Sequence, residues 1–142
     1  MKNIFISYSH ADREVVEKFK RHISTFSNDF IFWDDSKIVA GQIWRDEIES
    51  ALNNADIGLL FISADFFNSD FIQKNELPPL LSMAKFKGLV IISIIVKPCL
   101  FSEYPDINCY QAINNPEQTI VEMSEAEQEK IWVNLMKTIK LV

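Results

Sequence analysis

The chain has 142 residues, 48% of them hydrophobic, with 20 Asp and Glu against 14 Lys and Arg for a net charge of −6. That composition fills the core of one domain and excludes global disorder. An acidic chain of this kind also lacks the electrostatic footprint for nucleic-acid backbones or anionic membranes, so neither is expected as a partner.

Ile4, Phe5 and Ile6 form an apolar run that reads as a buried parallel strand, followed by the polar loop Ser7-Tyr8-Ser9-His10. Ser9 stands three residues before Asp12, a helix-start pattern, and Val15, Val16, Phe19, Ile23 and Phe26 then recur at helical spacing until Ser27-Asn28-Asp29. Phe30 to Trp33 is the second strand. A polar loop, Asp34 to Gln42, contains Gly41 and leads to a helix with Trp44, Ile48, Ala51 and Leu52 on one face. Ile57 to Ile62 is the third strand, and Asp65 to Asp70 is a loop or short turn. Phe71 to Phe86 reads as a helix that Pro78 and Pro79 should kink or split. Leu89 to Val96 is the fourth strand. The irregular stretch Cys99 to Gln118 has room for a short fifth strand near Cys109 to Ile113. Ser124 and Glu127 make a capping box for a last helix with Ile131, Leu135, Met136 and Ile139 inward.

Strands alternating with helices imply a flavodoxin-like three-layer α/β sandwich with a parallel sheet of four or five strands, and a ligand crevice beyond the strands' carboxyl ends. The loops there start at Ser7, Asp34, Ser63 and Lys97. Cys99 and Cys109 have no CxxC spacing and no neighbouring histidine, which argues against zinc. The amino terminus lacks a signal-peptide pattern and the longest apolar run is too short to span a bilayer. A cytoplasmic domain covering residues 1–142 is therefore expected.

Four segments in order resemble the boxes of TIR (Toll/interleukin-1 receptor-like) domains. These are Ile4 to Asp12; Phe32-Trp33-Asp34-Asp35 with Ile38, Gly41, Trp44 and Ile48; Ala51 to Ser63; and Ser69 to Leu77. The resemblance is to the bacterial, NAD-cleaving branch, and it covers nearly the whole chain. It implies NAD⁺ glycohydrolase or cyclase activity in an immune or signalling effector, with NAD⁺ as substrate, no cofactor and no metal. It also implies TIR–TIR self-association, with activity that depends on assembly. Glu76 occupies the position of the catalytic glutamate, and Tyr8, Ser9, Asp34, Lys37, Gly41, Phe71 and Ile72 fall at the nicotinamide-ribose pocket or its loops. Where many relatives carry Trp and Cys, four and three residues before the glutamate, this chain has Ile72 and Gln73, so an aromatic platform must come from Phe71 or Phe67.

The chemistry suits one carboxylate. Nicotinamide in NAD⁺ is already cationic and leaves as a neutral base, so the second carboxylic acid of ordinary glycoside hydrolysis is not needed. A carboxylate beside the ribose stabilises the oxocarbenium-like transition state. Several residues also have structural readings. Tyr8 can cap the core and Ser9 the first helix, Asp34 can hold its own turn, Lys37 can be a solvated lysine, Gly41 can supply a special backbone angle, and Trp44 can pack in the core or on the loop. Competing functions are a non-enzymatic TIR assembly module, a phosphoacceptor receiver and a nucleoside deoxyribosyltransferase. The receiver reading is weakened because Asp34-Asp35 follow the second strand rather than the first and the third ends in Ser63-Ala64. No GxGxxG follows the first strand, which disfavours a dinucleotide oxidoreductase.

Overall fold

In the computed structural model, which describes residues 1–142, the four apolar runs become one parallel sheet. The strands are β1 (Lys2–Ser7), β2 (Phe30–Trp33), β3 (Ile57–Ile62) and β4 (Val90–Ile95), in the order β2-β1-β3-β4. Alternation along each strand divides the core into two layers. Ile4, Ile6, Leu59, Phe61, Ile92 and Ile94 meet the helices α1 (Arg13–Ile23) and α6 (Glu125–Lys140), where Phe19 and Trp132 are fully buried. Phe5, Leu60, Ile62, Ile91 and Ile95 meet α2 (Trp44–Asn54), α3 (Ala64–Asn68), α4 (Leu77–Phe86) and α5 (Pro105–Asn108). This is the expected three-layer α/β sandwich. The Ser124–Glu127 capping box opens α6 as read from the sequence.

A fifth strand does not form. Its place at the β4 edge holds a single bridge, Ser93 to Ala112. The Asn114 carboxamide then takes over: its Oδ1 accepts from Ile95 N at 2.9 Å and its Nδ2 donates to Ile95 O at 3.0 Å. One side chain thus presents the donor and acceptor that a neighbouring peptide would offer, and the edge is satisfied without further strand.

Three local expectations also change. Phe26 leaves the α1 stripe for a 3₁₀ turn (Ser24–Phe26), is 36% exposed, and carries the Lys140 ammonium 4.4 Å over its ring. The segment after β3 is the helix α3, capped by Ser63 Oγ, which accepts from Phe66 N at 3.1 Å. Finally, the chain from Phe71 to Phe86 is split, but upstream of the prolines. Pro78 and Pro79 have no N–H to give to the carbonyls of Lys74 and Asn75, so residues Ile72–Glu76 widen into one π-helical turn in which Leu77 N donates to Ile72 O. The prolines then occupy the first turn of α4, where a missing donor costs little.

Candidate functional site

Strand order reverses between β1 and β3, and the crevice above their carboxyl ends is the natural ligand position in such a sheet. A cleft of about 540 Å³ lies there. The loop after β1 lines it with Tyr8, Ser9 and His10; Asp35 comes from the loop after β2. Asp65, Asn68 and Ser69 follow β3, and Phe71 and Ile72 close the wall next to the π-helical turn. His10 Nε2 and Asp35 Oδ2 meet at 2.9 Å, tying two of these loops together.

Glu76 does not line the cleft; it ends the π-helical turn that begins at Ile72. The π turn directs it toward the sheet, where it is 2% exposed and accepts a hydrogen bond from Ser7 Oγ at 2.7 Å. Ser7 is the last residue of β1 and shares the alternation of Phe5, so its hydroxyl points into the α4-side layer. Burial pushes the Glu76 carboxyl up to about 8; the Ser7 bond opposes this, and the negative charges of Asp35 and Asp34 reinforce it. The acid is thus desolvated and poised near neutrality, as candidate catalytic groups often are.

The remaining predicted positions divide. Tyr8 is 5% exposed and packs in the α1-side core, with burial, then Asp34 and Asp35, raising its phenol to about 12. Ser9 caps the 3₁₀ turn His10–Asp12, accepting from Ala11 N at 3.3 Å. Ile72 is buried and Phe71 half-buried, its ring 5.4 Å from that of Trp44. Trp44 is therefore a partly exposed surface aromatic rather than a core residue. Phe67 is stacked on Tyr104 at 3.6 Å and does not line the cleft, so of the two phenylalanines Phe71 is the one in its wall.

Asp34 does not line the cleft. It is fully buried, ion-paired with Lys20 of α1 at 2.7 Å, and its Oδ1 accepts from Ser36 N at 2.8 Å, holding its own turn. Burial raises its carboxyl, but the bonds from Lys20 and Ser36 together outweigh burial and hold it below the usual range. Lys37 folds back to donate to Phe32 O at 2.6 Å and lies outside the cleft, as does Gly41, whose φ of +95° is the left-handed angle that favours glycine.

Sequence reasoning did not single out Ser7, Lys20 or the His10–Asp35 link. A usable signal existed for Ser7, because a polar residue at the last inward position of a buried strand needs a partner. Lys20 and Asp35 depend on tertiary proximity. A second ion pair, the buried Asp12 with the partly exposed Lys97 at 2.8 Å, is completed by Ser63 Oγ donating to Asp12 and ties the tips of β3 and β4 to the β1–α1 loop. Cys99 and Cys109 are both free thiols, and no cluster of His, Cys, Asp and Glu suits a metal ion.

The sequence profile of the TIR domain matches residues 4–128, most of the chain. The chain belongs to the TIR domain family. Among solved structures, this TIR domain is similar to that of the Toll-related receptor TRR-2 from Hydra magnipapillata, with a TM-score of 0.63 and 18% identity over 96% of this chain and 97% of that one. The likeness extends to the fold. The TIR domain is also 30% identical over 107 residues, 74% of its length, to an uncharacterized protein, y4lF, of Sinorhizobium fredii. It spans about a third (33%) of that relative's length. No helix of the TIR domain is long and apolar enough to cross a membrane.

Proposed function

We propose that this TIR domain cleaves NAD⁺ at the nicotinamide–ribose bond in a cytoplasmic signalling or immune response, with Glu76 as the catalytic carboxylate. The observation that carries this reading is the setting of Glu76: a desolvated acid bonded to Ser7, the residue that precedes the cleft-lining loop Tyr8-Ser9-His10. In the reaction the C1′–N bond breaks and its electron pair returns to the pyridine ring, so nicotinamide departs neutral. Ionised Glu76 stabilises the positive charge left on the ribose. Water then adds at C1′ and loses a proton, giving ADP-ribose; attack by a nucleophile of the same molecule gives a cyclic isomer instead.

Two features suit the cationic nicotinamide ring of the substrate. The carboxylates of Asp35 and Asp65 line the cleft, and Phe71 offers an aromatic face. A cationic ring near Glu76 favours ionisation of that acid, so binding prepares the group for its role. Because Glu76 is 2% exposed, the wall at Ile72 and Phe71 must shift to admit the ribose. The cleft wall contains no Lys or Arg, so the diphosphate must find its counter-charge elsewhere. We assign that charge to Lys37 released from Phe32, or to a second copy of the domain, which makes activity depend on self-association. The exposed apolar residues Val39 and Ile43, beside Gly41, provide a surface for it. The same surface favours the second reading, a non-enzymatic TIR–TIR interaction module.

Chromatographic analysis of NAD⁺ incubated at high protein concentration tests the proposal. Wild type is expected to release nicotinamide and Glu76→Ala to lose about 10²-fold or more of the rate. Since the acid must be ionised, kcat/KM should rise with pH up to about 8. Equal inertness of both proteins, even when oligomerisation is forced, removes the enzymatic reading and leaves the interaction module.

A further inference from the structure

The charge around the switch-point cleft is one-sided. Its ionisable lining is Tyr8, His10, Asp35 and Asp65, and the phenol of Tyr8, raised to about 12, is neutral. Asp35 is only half satisfied: its Oδ2 meets His10 Nε2 at 2.9 Å, while its Oδ1 is buried with no hydrogen-bond donor. Its charge raises both Tyr8 and Glu76, so its field reaches the β1 loop on one side and the π-helical turn on the other. The neighbouring cations are already engaged. Lys97 is shared by Asp12 at 2.8 Å and Asp65 at 3.5 Å, and Lys20 by Asp34 at 2.7 Å and Glu17 at 3.5 Å. Lys37 is held on Phe32 O. The charge of Arg13 reaches Tyr8, but Arg13 is exposed on α1 outside the lining, and Glu17 of the same helix opposes it there.

A ligand with positive charge and hydroxyl or amide donors supplies what Asp35 lacks within the protein. A ligand with phosphate meets two carboxylates and no lysine or arginine among the lining residues. We propose that the cleft of a single domain selects the phosphate-free N-ribosylpyridinium cation, nicotinamide riboside, over its phosphorylated forms. The riboside carries the pyridinium charge alone, whereas the mononucleotide and NAD⁺ each add about two negative charges. A like charge held near an unneutralised carboxylate weakens binding by about tenfold at low salt. The cleft, about 540 Å³, is in the range of small-ligand sites. The choice of a ribosylpyridinium as the cation rests on the cleavage reading; the preference for positive over negative charge rests on the cleft alone. Turnover of NAD⁺ then needs the extra charge assigned above to Lys37 or a second copy, and the riboside does not.

Titration of the dilute, monomeric 142-residue chain with nicotinamide riboside or nicotinamide mononucleotide tests it. Amide chemical shifts of Tyr8, Ser9, His10, Asn68 and Ser69 report the two affinities, and nicotinamide release is followed by chromatography on the same samples. The riboside is expected to bind about tenfold more tightly than the mononucleotide at low salt, with a smaller gap at about 0.5 M salt. Asp35→Asn and Asp65→Asn should each narrow the gap, chiefly by strengthening mononucleotide binding. Glu129→Gln, on α6 and paired with His22, should leave it unchanged. A mononucleotide that binds as tightly as the riboside overturns the proposal. So does a riboside that saturates none of these shifts, or a gap unaltered in both Asp variants. Selective riboside binding without nicotinamide release at any protein concentration upholds the charge selection and removes the cleavage reading, so the two failures are distinguishable.

Discussion

Replacing Glu76 by Gln should make the protein more stable near neutral pH. The native carboxyl is raised to about 8 from an ordinary 4.5, chiefly by burial. Between those values the folded state holds a proton that the unfolded state has released. Stability must therefore fall as pH rises through this window. At about pH 7.5 the unfolded glutamate is ionised by roughly 3 pH units while the folded one is mostly neutral, a penalty of roughly 4 kcal/mol. Glutamine keeps an oxygen to accept the Ser7 hydroxyl and adds an amide N–H₂ that needs a partner, at a cost of about 1 kcal/mol. A net gain of roughly 3 kcal/mol is expected at about pH 7.5, vanishing or slightly reversing below about pH 4.5. Urea unfolding followed through buried Trp132, across this pH range, measures both proteins. A pH-independent difference, or a variant less stable than wild type at about pH 7.5, refutes the assignment of Glu76 as a desolvated acid. Increased stability together with lost NAD⁺ turnover is the trade-off expected if this desolvated acid is the catalytic group proposed above.

Three further changes test the supports of the site. Ser7→Ala removes the only hydrogen bond that Glu76 receives, so the Glu76 titration followed by carboxyl-carbon NMR should move above about 8; a downward shift contradicts the geometry. Asn114→Ala leaves the edge groups of Ile95 unpaired and should cost roughly 2 kcal/mol, with faster amide exchange at Ile95; Asn114→Asp keeps an acceptor for Ile95 N but no donor for Ile95 O, so it should slow that exchange again without restoring the full stability. Lys97→Met leaves the buried Asp12 charge with Ser63 alone; because Lys97 is itself partly exposed, the loss in urea unfolding should be near ~2 kcal/mol rather than the full value for a buried pair.

The elements were legible because each carries its own period. Buried strands at Ile57 to Ile62 and Leu89 to Val96 are short apolar runs that no amphipathic helix produces, and the structure places strands at Ile57–Ile62 and Val90–Ile95. The capping box at Ser124 and Glu127 is likewise local. Where neighbours in space decided the outcome, the sequence pattern was silent or misleading. Phe26 matched the helical stripe of α1 but fell one turn past the core, and the Cys109 to Ile113 stretch had strand-like content but lost its place to the Asn114 side chain.

The same division runs through the candidate site. Position in the chain singled out Glu76, and the prolines after it announced an irregular helix, because a missing N–H is a local property of the residue. Tertiary structure alone decided that the irregularity becomes a π turn ending on Glu76, that Ser7 lies 2.7 Å from it across 69 residues of chain, and that burial outweighs the Ser7 bond in setting its proton affinity. Lys20 and Asp34 pair only after α1 has packed on β2's side of the sheet. Hydrophobic period and backbone chemistry are written along the chain, whereas desolvation and charge pairing are properties of a place that exists only once distant segments meet.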